Sequence, residues 1–196
     1  MLPDNTLSST AIFGGFLIPD KTDSMIDYER GGVDLLDTSQ GLQVKFWLCF
    51  YEKNWIKLQS GDITHNIIYV ENVKHLSLAF DFNMRPTITY TVEITEGDTK
   101  YQETYLYWYD TSQKNQITTK YGRDYKTPQL SLDDHRLEQS SNADIIFAYI
   151  KDNNLYYRQQ RDRFLKEYLL SESLDENLQL RQIGMSTKNR FQFLFW

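Results

Sequence analysis

The sequence predicts an all-β fold of antiparallel hairpins, forming either a two-sheet sandwich or a small propeller-like stack, with an extended N-terminal arm in front of it. Three observations lead there. A unit of aromatic-rich alternating strand, short polar turn and second strand is written about four times. Short strings echo between copies, Leu76-Ser77-Leu78 returning as Leu130-Ser131-Leu132 and Leu106-Tyr107 as Leu155-Tyr156, at spacings of 54 and 49 residues. Aromatic residues make up 15% of the chain, with 14 tyrosines, and broad rings suit a pleated, half-buried surface. A two-stranded unit cannot bury its own apolar face, so the copies must stack on one another.

The domain boundary falls near residue 41. Residues 1–40 carry seven acidic and two basic side chains, a net charge of −5 out of −6 for the whole chain, and they contain Gly14-Gly15, Gly31-Gly32, Pro3 and Pro19. With so little apolar surface to bury and no sustained period, they read as an extended acidic arm that lies along a partner. The apolar patch Ala11 to Ile18, with Phe13 and Phe16, is its natural anchor. No Lys or Arg precedes the patch and no small-residue cleavage site follows, so it is not read as a signal peptide.

Residues 41–196 form the all-β domain. Gly41 to Tyr51 alternates and is its first strand, turning through Glu52-Lys53-Asn54 into Trp55 to Gln59. Ile67 to Val70 and His75 to Phe80 follow. Asp81-Phe-Asn-Met-Arg-Pro86 breaks the run, because Pro cannot donate to a ladder and Asp and Asn favour turns. Thr87 to Ile94 pairs with Tyr101 to Asp110 across Glu96-Gly97-Asp98, and Ile117 to Tyr121 is a further strand. Gly122 to Pro128 is a polar connection, Leu130 to Leu132 resumes strand, and Asp133-Asp134-His135-Arg136 opens a charged turn. The clearest hairpin is Ile145 to Ile150 with Leu155 to Arg158 across Lys151-Asp-Asn-Asn154. Arg161 to Leu170 has both helical and period-two spacing and is read as strand, in the place that Ile117 to Tyr121 holds in the preceding copy. Leu178 to Met185 pairs with Arg190 to Trp196. The last strand is apolar on nearly both faces, so it belongs between packed layers or under a neighbouring subunit.

Little in the sequence speaks for chemistry. His65, His75 and His135 are scattered without metal-ligand spacing, and Asp81-Phe-Asn83 lacks the Gly and closing Glu of a calcium loop. There is no Gly-x-Ser-x-Gly, no phosphate-binding glycine loop, and the one cysteine, Cys49, sits inside an apolar strand as an inert thiol. No catalytic residue, metal or cofactor is assigned. No apolar run approaches the roughly 20 residues of a membrane span. Tyr156-Tyr-Arg-Gln-Gln-Arg-Asp-Arg-Phe164 interleaves aromatic and basic side chains, but a chain of net charge −6 is repelled by phosphate backbones. Arg158, Arg161 and Arg163 are therefore read as pairing with carboxylates at a protein interface, not with nucleic acid.

Tyr105-Leu-Tyr-Trp-Tyr-Asp110, Leu155-Tyr-Tyr-Arg-Gln-Gln-Arg-Asp-Arg-Phe164 and Gln182-Ile-Gly-Met185 with Arg190-Phe-Gln-Phe193 resemble virion proteins encoded among the tail genes of tailed bacteriophages, particularly short-tailed ones. The resemblance covers roughly residues 75–196. It implies a structural, non-catalytic part of the particle, assembled in the host cytoplasm and present in several copies. Its expected partners are other tail or head-to-tail proteins and further copies of itself. The interface candidates are Phe13, Phe16, Arg158, Arg161, Arg163 and Trp196. The alternative is a carbohydrate-recognising module at the tail periphery, where exposed Trp55 and Trp108 would stack on the sugar rings of a host glycan.

Overall fold

Each run of alternating residues finds its partner in the next run along the chain, and this gives the architecture its order. The structure, a computed structural model, describes residues 30–36, 43–81, 85–133, 144–185 and 191–195. The strands are β1 (Arg30–Leu36), β2 (Gln43–Glu52), β3 (Trp55–Ser60), β4 (Ile63–Tyr69), β5 (Val73–Phe80), β6 (Pro86–Glu96), β7 (Thr99–Asp110), β8 (Asn115–Arg123), β9 (Lys126–Asp133), β10 (Asp144–Lys151), β11 (Asn154–Gln159), β12 (Tyr168–Ser171), β13 (Leu180–Met185) and β14 (Phe191–Phe195). They make three four-stranded antiparallel meanders, β1 to β4, β5 to β8 and β9 to β12, and a two-stranded sheet, β13–β14. The first strands β1, β5, β9 and β13 lie against one another in a row, while β4, β8 and β12 form the outer edges. The protein is all-β, and of the two expected arrangements this is the propeller-like stack.

Turn chemistry sets the register. Lys53-Asn54 joins β2 to β3 and Asp152-Asn153 joins β10 to β11, both as two-residue turns with φ between 50° and 65°. Two positive φ values match the right-handed twist of the flanking strands, and Asn and Asp tolerate them best. The echoes seen in the sequence fall on equivalent strands. Leu76-Ser77-Leu78 and Leu130-Ser131-Leu132 lie on first strands β5 and β9, and Leu106 and Leu155 on third strands β7 and β11. Three of the four hairpin units join a second strand to a third, whereas the last, β13–β14, joins a first to a second. It is offset by one strand from the others.

Alternation along the strands divides the core into three seams. Cys49, Ile56 and Leu58 meet Leu76, Leu78, Ile88 and Tyr90 between the first and second sheets. Leu106 and Trp108 meet Leu130, Ile145, Phe147 and Tyr149 between the second and third. Ala148, Ile150 and Leu155 meet Leu180 and Ile183 between the third and fourth. Residues 145–150 are wholly buried because β10 feeds two seams at once.

The first strands are edges of their own sheets, so their ladder groups need partners from elsewhere. Side chains provide them. Ser77 Oγ accepts a bond from Leu130 N at 3.1 Å, His75 Nε2 lies 2.7 Å from Pro128 O, and Gln129 Nε2 donates to Leu180 O at 3.3 Å. These buried polar groups tie β5 to β9 and β9 to β13 across sheets that share no ladder.

Several details depart from the reading of the sequence. Within the stretch read as arm, Arg30 to Leu36 form β1 and pair with β2 from Arg30↔Cys49 to Leu36↔Gln43; residues 1–29 lie outside the described residues. Gly122 to Pro128 is mostly strand, because β8 runs to Arg123 and β9 starts at Lys126. Arg161 to Leu170 is strand only from Tyr168. Gln160–Asp162 form a 3-10 turn, and Arg163 and Phe164 both take left-handed backbone angles, φ 54° and 56°. In β14 the side chains of Phe193 and Phe195 pack inward while that of Leu194 is exposed in the single chain.

Candidate functional site

Two regions concentrate side-chain chemistry, and the first is the loop from β11 to β12. Phe164 is fully buried and meets Trp108 edge to face at 5.2 Å. Beside it Arg163 Nη2 reaches Asp110 Oδ2 at 2.5 Å, so the loop from the third sheet is bolted onto β7 of the second. Asp110 has no exposed surface. Burial opposes its ionisation, but the Ser112 hydroxyl, the Arg163 guanidinium and the Ser112 amide outweigh that and pull its pKa down to about 2.

Arg158 holds the same loop from below. Its Nε donates to Tyr149 Oη at 2.8 Å, its Nη1 to Phe164 O and Leu165 O at 3.0 Å each, and its Nη2 to Glu167 Oε2 at 2.9 Å. Tyr149 Oη also donates to Glu167. Burial and the Glu167 carboxylate push the tyrosine pKa up, which keeps the hydroxyl protonated as a donor. Only a planar fork can serve a phenol, two carbonyls and a carboxylate together, so the position requires Arg and not Lys. The carboxylates and carbonyls that Arg158 and Arg163 bind belong to their own chain. Arg161 is exposed on the 3-10 turn. The clasp presents Leu165, Leu169 and Leu170 to solvent, at 73%, 47% and 43% exposure, on and beside the outer edge strand β12.

Other candidates are placed as follows. Trp108 is buried, with its indole N–H on Thr119 Oγ1 at 3.1 Å, so the expectation of an exposed sugar platform there is corrected: β7 turns that face into the second seam. Trp55 is half-buried and meets the exposed Tyr69 edge-on at 5.3 Å, which leaves no flat two-ring platform. Phe13, Phe16 and Trp196 lie outside the described residues. Cys49 is buried, and burial pushes its thiol pKa up, away from nucleophilic thiolate. Asp81 is bound by Arg85 through both its backbone N–H and its guanidinium. Among the described residues no group of three His, Cys, Asp or Glu side chains is placed to hold a metal, and no helix is long and apolar enough to cross a membrane.

The second region, which sequence reasoning missed, is a groove of about 430 Å³ at one end of the second and third sheets. The long β6–β7 hairpin makes one wall with Glu93, Lys100, Tyr101 and Gln102, and the sharp β8–β9 connection makes the other with Asp124 to Thr127. The two walls are stapled together: Asp124 N donates to Gln102 O at 2.8 Å and Gln102 N to Asp124 Oδ1 at 3.0 Å. Tyr125 roots the connection by stacking on Tyr149 at 4.1 Å and by lying across Gly122, where a Cβ would meet its hydroxyl oxygen at 2.7 Å. Lys126 Nζ is tied to Asn153 Oδ1 at 3.1 Å and Glu176 O at 2.5 Å.

No family model, no curated protein and no solved structure matches the chain.

Proposed function

We propose that the protein is a structural component of a bacteriophage tail, a non-catalytic building block that joins tail subunits or holds a fibre to the tail body through protein–protein contacts. It acts in several copies within the virion, and the string from Leu155 to Phe164 supports placing it there. The observation that carries the reading is the apolar outer edge formed by Leu165, Leu169 and Leu170, held by the Arg158 and Arg163 clasps. An edge strand that shows leucine to solvent is a ready template for another chain, and a rigid base lowers the ordering cost of binding it.

The test is incorporation into particles. Leu169→Asp with Leu170→Asp should leave the melting temperature within a few degrees of the parent, because both side chains are already exposed, yet deplete the protein from purified virions. Normal levels of the double variant in particles, or absence of the parent protein from particles by mass spectrometry, would refute the reading.

A further inference from the structure

We infer that the open edge of the fourth sheet is an interface between copies of this chain, and that the strand it takes is Ala11 to Ile18 of a second copy. This goes beyond the connector role and does not depend on it. The first three sheets each reach four strands, whereas the fourth stops at two, so β14 has β13 on one side and no ladder partner on the other among the described residues. Such an edge is a template for an incoming strand. With two strands, the fourth sheet also lacks counterparts of β11 and β12. There Tyr157, which packs on the third seam, stacks on Tyr168 at 4.9 Å with both rings half-buried, and a third strand on β14 would extend the cover towards them.

Charge and length select the occupant. Residues 180–196 carry Arg181, Lys188 and Arg190 and no acidic residue, a net charge of +3, while residues 1–29 carry five acidic residues and one basic, a net charge of −4. Within that acidic stretch Ala11 to Ile18 is uncharged, with apolar residues at both alternating sets of positions, as in Phe193-Leu194-Phe195 of β14. Eight residues in a strand span roughly 26 Å, enough to cover all of β14. Laid antiparallel, the octet ends beside the start of β14, so Asp20 and Asp23 follow it towards the turn whose sequence carries Lys188 and Arg190. The geometry favours a second copy over the same chain. β1, and with it Arg30, stands at the opposite end of the row of sheets from β13. Residues 19–29 would have to cross three sheet spacings of about 10 Å each with little slack, whereas the arm of a second copy has no such span to close.

The experiment is light scattering with hydrogen exchange on the full chain, on Phe13→Asp with Phe16→Asp, and on Lys188→Glu with Arg190→Glu. The parent should be larger than one chain in solution. Each double variant should return it to monomer, with amide exchange over residues 191–195 faster by about tenfold or more. Adding Asp20→Lys with Asp23→Lys to the Lys188→Glu and Arg190→Glu variant should restore assembly. A synthetic peptide of residues 9–22 in excess should dissociate the parent while keeping residues 191–195 protected, a measurement that needs no variant to fold. Leu169→Asp with Leu170→Asp should leave this assembly intact, so this inference and the virion reading fail separately. A monomeric parent would overturn the inference, and so would an arm that protects residues 191–195 of its own chain. Oligomers that ignore both the Phe13→Asp and Phe16→Asp variant and the peptide would place the contact on another surface and overturn it equally.

Discussion

Replacing Phe164 with Ala tests how the third sheet holds on to the second. The side chain is fully buried between the sheets and packs edge-on against Trp108. Deleting a buried phenylalanine ring costs about 3–5 kcal/mol in lost transfer energy and unfilled cavity, including the aromatic pair. For a domain of this size each kcal/mol moves the melting temperature by about 2–4 °C, so the drop should be roughly 6–20 °C. The loss should not be spread evenly. Arg163 and Phe164 both stand at positive φ, a backbone state that costs non-glycine residues about 1–2 kcal/mol each, and the buried ring holds them there. Without it the loop can relax, and β12, four residues long and paired on one side, should open first. Differential scanning calorimetry gives the first quantity and hydrogen exchange by mass spectrometry the second. A melting temperature within about 2 °C of the parent, or unchanged protection over residues 160–171, would refute the reasoning.

Substitutions at two other positions probe the same clasp. Arg158→Ala leaves Glu167 without its guanidinium and the Phe164 carbonyl without its donor, and should cost about 2–4 kcal/mol in urea unfolding; Arg158→Lys should recover less than half, because a point cation cannot span four acceptors. The pKa of the Asp110 carboxyl is lowered from 3.8 to about 2 in the folded chain, so its contribution is complete above about pH 4 and is lost as the pH falls towards 2. Asp110→Asn should therefore flatten the stability-versus-pH curve between pH 4 and pH 2, and an unchanged slope there would count against the ion pair with Arg163.

How much of this was legible in the sequence depends on whether local chemistry decided the outcome. The hairpins at Lys53-Asn54 and Asp152-Asn153 could be read because two residues of turn type sit between alternating runs, and the twist of the strands demands that turn. The echo of Leu-Ser-Leu fell on first strands: on β5 it sends Leu76 and Leu78 into the first seam while Ser77 bonds Leu130 N of β9. β1 was not legible: Arg30 to Leu36 has Gly31-Gly32 near its start, a residue type depleted in strands, and its pairing is seen only in the register with β2. The loop after β11 was misread for a similar reason. Phe164 lies in the apolar register of a strand, but the Arg163 bond to Asp110, 53 residues away, and the Arg158 bonds to its carbonyl curl the backbone into left-handed angles.

The groove was invisible for a different reason. Its parts come from the β6–β7 hairpin, the β8–β9 connection and Gln179, and taken singly they are ordinary turn and strand-end residues. Asp124 at φ 55° is a common turn residue, so it carries no signal. Thr127 at φ 37° is uncommon, but that angle is a property of the fold and not of the residue type. The alternating side chains of the inner strands go into the three seams between the sheets. The polar groups that line the groove are those that the turns project at the sheet ends. Strand sequences therefore report the scaffold, and the groove is seen only when the turns are brought together in space.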